Sequence, residues 1–204
     1  MFPTGSFEAM KFELRKREYE KGTDIPITVG ILIADFRRRF CKENIFDNIE
    51  RLDKKTGPLI DFYIPGYCLT SEIDTHYQNS YRLKNGTYSF SSQYFDEFVE
   101  HLENIGITVT GRTQLILLNY HRGSLKFDDV FSIDLEDAER SGKIKSVKLF
   151  FDQIIEIASH TTEYPFFERT INTNFLIDKI VGFIKEKMPD LILSSVIPNK
   201  SKSK

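Results

Sequence analysis

The run IPITVGILIA, from Ile25 to Ala34, decides the fold. Its middle is apolar on both alternating faces, as in a strand covered by helices on each side. Asp35 follows where a helix N-cap is expected. Phe36, Phe40, Ile45, Ile49 and Leu52 then recur at helical spacing, which predicts a helix over 36–55 that Gly57-Pro58 stops. Leu59 to Ile64 reads as a second strand, ended by Pro65-Gly66. Strand, helix and strand of these lengths predict a right-handed βαβ unit with a parallel pair.

Working outward, Tyr81 to Phe90 alternates around Asn85-Gly86, a hairpin signal because both residues of a tight hairpin turn need positive φ. Ser91 or Ser92 caps a helix from Gln93 to Ile105 with Phe95, Phe98 and Leu102 in its buried stripe. Gln114 to Tyr120 is a third core strand, His121-Arg122-Gly123 a turn, and Val130 to Leu135 a returning strand. Helical periodicity marks two closing helices, one from Val147 through Ala158 and one from Ile177 to Met188. Met10 to Lys21 is charged, with a weak apolar pattern at Phe12, Leu14 and Tyr19, and is expected as a short helix or strand on the surface. The expected architecture is α/β: a single domain over 23–198 with a mixed β-sheet, a parallel βαβ start plus an antiparallel hairpin, covered by helices on both faces. Residues 1–22 read as an N-terminal surface segment and 199–204 as a frayed tail.

A chain of 204 residues with 40% hydrophobic and 28% charged residues matches one ordinary globular domain. The net charge of -2 and pI near 6.1 argue against nucleic acid as a partner, since only a local basic patch could hold it. Two cysteines, Cys41 and Cys68, are too few for a disulfide framework or a structural zinc site. The acids Asp128, Asp129, Asp134, Glu136 and Asp137 lack EF-hand spacing and read as solvated side chains, so neither a metal nor a cofactor is expected. No apolar run can span a bilayer, and Met1 to Tyr19 lacks the apolar centre of a secretory signal; the expected location is the cytoplasm.

Open α/β sheets bind ligands beyond the carboxyl ends of their strands. That rule gathers Asp35 and Arg38 after the first strand, Tyr67 and Cys68 after the second, and His121 and Arg122 after the third. Together they would suit a nucleotide or other phosphorylated ligand, with Arg38, Tyr67 and Arg122 binding it and His121 or Asp35 moving a proton. Each also has a plainer reading: Asp35 as a helix cap, His121 and Arg122 as turn residues, Arg37 to Arg39 splayed around a helix. The motifs GxxxxGK[ST], GxGxxG, GxSxG and HExxH are missing. The strand–helix–strand opening with Pro65 after its second strand resembles TIR and nucleoside deoxyribosyltransferase folds over about the first third of the chain. The acidic catalytic motif of those families has no counterpart downstream, so no site residue is carried over. The expected function is that of an interaction or regulatory protein working through a protein partner or a second copy of itself, with a small phosphate-binding enzyme or sensor as the alternative. Aromatics expected at the surface, Tyr67, Tyr77, Tyr81 and Tyr164-Pro165-Phe166-Phe167, favour the first.

Overall fold

A computed structural model describes residues 2–22, 26–56, 60–72, 80–82, 87–161, 175–187 and 194–196. Strand β2 (Ile27–Ile33) is buried at every residue. This is the outcome its two-faced apolar pattern demands, because burial of either face alone would leave isoleucines in water. Numbering in chain order, β1 is Phe2–Thr4, β3 Asp61–Pro65, β7 Gln114–His121, β8 Ser124–Asp134 and β9 Ser194–Val196. They form a six-stranded sheet in the order β1-β3-β2-β7-β8-β9. β1 and β2 both pair with β3 in parallel, whereas β7, β8 and β9 join antiparallel.

Helices cover both faces. On the face carrying Asp61 and Tyr63 lies α1 (Phe7–Lys21), with α4 (Ser92–Asn104) beside it; the Phe7 and Phe98 rings meet edge-on at 5.4 Å. On the opposite face Phe62 meets Phe151 of α6 (Val147–Thr161), its ring centroid 5.6 Å away. There α6 packs on α7 (Phe175–Lys187), and its Asp152 receives Arg51 of α3 (Ile49–Thr56) at 2.7 Å. Gly30 at the centre of β2 is the residue that lets the Phe62 ring lie across the strand, since a Cβ there would overlap it.

Three readings change at this level. The helix expected over 36–55 is broken into α2 (Arg39–Asn44), a single 3₁₀ turn (Phe46–Asn48) and α3. Asn48 donates its side-chain amide to Glu43 O (3.0 Å), a carbonyl the next helical turn would have used, while Asn44 donates to Phe40 O (3.1 Å). The segment before residue 22 is part of the core. Ser6 caps α1 by accepting from Ala9 N (3.1 Å), Met10 and Leu14 are fully buried, and β1 extends the sheet. The hairpin strands β5 (Ser80–Arg82) and β6 (Tyr88–Ser91) leave the main sheet and form a second one with β4 (Tyr67–Leu69), in the order β4-β6-β5. The Asn85-Gly86 turn, Tyr77, Tyr164 to Phe167 and the 199–204 tail lie outside the described residues. Among those described, no helix is long and apolar enough to cross a membrane.

Candidate functional site

The carboxyl ends of β1, β2 and β3 share one edge of the sheet, and Asp35, Arg38 and Tyr67 lie there. Asp35 is not a helix cap. Its Oδ1 accepts from Arg37 N (2.8 Å) and its carbonyl from Arg38 N (3.0 Å), which makes a tight turn ahead of α2. Arg37 then spans two carboxylates, giving its Nε to Asp35 (2.8 Å) and its Nη2 to Asp96 of α4 (2.8 Å), with the guanidinium 5.8 Å above Phe95. Hydrogen bonds to Asp35 first, and to Asp96 next, raise its already high pKa further. Arg38 turns the other way. Its Nη2 reaches Glu136 of α5 (Leu135–Arg140) at 2.7 Å and its Nη1 the carbonyl of Gly111. A phosphate arriving here would have to displace a carboxylate from each guanidinium.

The crevice itself is filled. Gly66, at φ 75°, donates its N–H to Thr4 O (3.1 Å) and accepts from Ser91 N (2.7 Å), so β1, β3 and the start of α4 close on one another. Tyr67, expected at the surface, is 5% exposed because β4 pairs it opposite Phe90 and its ring stacks on Tyr88 at 4.8 Å. Cys68 is equally interior, and burial pushes the Cys41 thiol up, beside Thr113 Oγ1 at 2.9 Å. Among the described residues, Arg37 lines two shallow polar grooves. One, of about 550 Å³, runs past Arg39 and Lys42; the other, of about 390 Å³, past Asp96 and Glu100. Arg39 is paired with Glu43 (2.7 Å) and Lys42 sits 5.3 Å over Phe36. Among the described residues, no three His, Cys, Asp or Glu side chains gather as metal ligands would.

His121 and Arg122 are at the other end of the molecule. Ile27 pairs with Tyr120 and Ile33 with Gln114, so β7 runs against β2 and finishes beside its start. His121 is level with Pro26, nine residues before Asp35, so at about 3.3 Å per residue the two are about 30 Å apart. The crevice expected to join Asp35, Tyr67 and His121 is therefore not formed. The carboxyl-end rule gathers residues only from strands that run the same way, and β7 does not. Arg122 and Gly123 form the hairpin turn with φ of 51° and 75°, the positive values a two-residue hairpin requires.

Beneath α1 the sheet carries a second polar group that the sequence did not reveal. Arg17 Nε lies 2.7 Å from Asp61 Oδ2, a carboxylate with no exposure. Tyr63 and Tyr120 stand on the same face, and Glu18, 6% exposed, accepts from Gly123 N at 2.9 Å. Burial, and then the Asp61 charge, push the Tyr63 phenol well above its ordinary range. A phenol whose folded pKa is raised contributes stability that is intact below its unfolded value, about 10. That contribution is lost as pH climbs above it. Unfolding free energy measured by denaturant titration is accordingly expected to fall between about pH 10 and 12. The fall should be shallower in Tyr63→Phe, and an unchanged slope would contradict the assignment.

The outward side of α1 is the remaining feature. Among the described residues, the large apolar side chains left in water are Phe12 (67% exposed), Tyr19 (87%) and Leu149 (46%). Phe12 and Tyr19 are seven residues apart, two helical turns, and share one face. Lys16, exposed between them, has no hydrogen-bond or ion-pair partner among the described residues. The molecule is thus an α/β protein with a filled carboxyl-end crevice and a bare aromatic stripe on its first helix. Compared with known protein families, curated proteins and solved structures, the chain matches none.

Proposed function

We propose that the chain is an interaction protein, docking a protein partner on the outward face of α1. The observation that carries this reading is the placement of Phe12 and Tyr19 on one exposed face. Each ring leaves apolar area in water that a partner could cover at about 25 cal/mol per Å². The separation of Asp35 from His121, and the engagement of Arg37 and Arg38 by carboxylates, deprive the phosphate-binding alternative of comparable support.

The test compares the tagged chain with its Phe12→Ala/Tyr19→Ala variant in affinity purification from the source cells. Both residues are exposed, so the melting temperature should change by no more than about 2 °C. Recovery of a partner protein should fall at least about tenfold, as expected when interface anchors are truncated. Identical recovery by both forms would overturn the reading. So would a rise of several degrees in melting temperature on adding a nucleotide, since that requires a ligand site in the folded chain.

A further inference from the structure

We draw no further inference here: the strongest candidate, the acidic outward face of α4 where Asp96, Glu97 and Glu100 line a groove beside Arg37, carries nothing because Arg37 and Gln93 already engage Asp96 and Glu97 and, among the described residues, nothing points to a ligand for the cluster.

Discussion

Replacing Arg17 with alanine is expected to lower folding stability by about 3–5 kcal/mol, the usual loss when one member of a buried pair is removed. Asp61 has no exposure, so without Arg17 its carboxylate would stay charged under α1 beside the buried Tyr63, or take up a proton. The loss comes from stranding a charge more than from the attraction itself. The double replacement Arg17→Met/Asp61→Leu should therefore recover most of it, because both desolvation penalties vanish together. Denaturant midpoints at constant slope provide the measurement. A loss below about 1 kcal/mol for Arg17→Ala would mean that solvent reaches Asp61 and that α1 is not sealed on the sheet.

Gly66→Ala carries the second large effect. The residue sits at φ 75°, where a side chain costs about 1–2 kcal/mol. Its Cβ would also lie 2.6 Å from Ser91 O and 2.9 Å from Phe95 Cβ. Backbone cannot yield as a flexible side chain can, so forcing this junction apart adds about 1–3 kcal/mol. Gly111→Ala is the control. It has a similar φ of 69° with nothing within 4 Å, and should lose only the backbone share. Equal losses at the two positions would show that β1, β3 and α4 do not close on Gly66.

The parts of this fold that could be read from sequence are those with a long, one-sided or two-sided apolar pattern. β2 buries both faces and α4 one, and each was legible within two residues of its observed ends. Strands β1, β4 and β9 have three residues each, too few for alternation to register. Helix α1 hid for a different reason. Leu14 faces the core while Phe12 and Tyr19 face water, so apolar residues on both sides cancel the periodicity that would have announced it.

The site was legible only as separate parts. Asp35, Arg38 and Tyr67 do come to the carboxyl ends of parallel strands, as the βαβ reading required. The direction of β7 was not readable, because a period of two is the same in either sense, and that direction alone sends His121 to the far end. Asp96, the second carboxylate on Arg37, and Glu136, the carboxylate on Arg38, lie 59 and 98 residues away along the chain, beyond any local pattern. An aspartate can make a turn or cap a helix through the same short side-chain bond to a backbone N–H, so the sequence could not tell that Asp35 makes the turn.

The central claim is that the two sets of chemistry-bearing residues sit at opposite ends of β2, leaving the α1 face as the functional surface. Pulsed electron–electron dipolar spectroscopy on Arg39→Cys/Ser124→Cys, both exposed positions, tests it directly, since Cys41 and Cys68 are buried and should not take the label. The expected separation is about 30 Å, nine residues of strand rise from the level of His121, opposite Pro26, to Asp35. A distribution centred near half that value would place His121 beside Asp35 and restore the crevice.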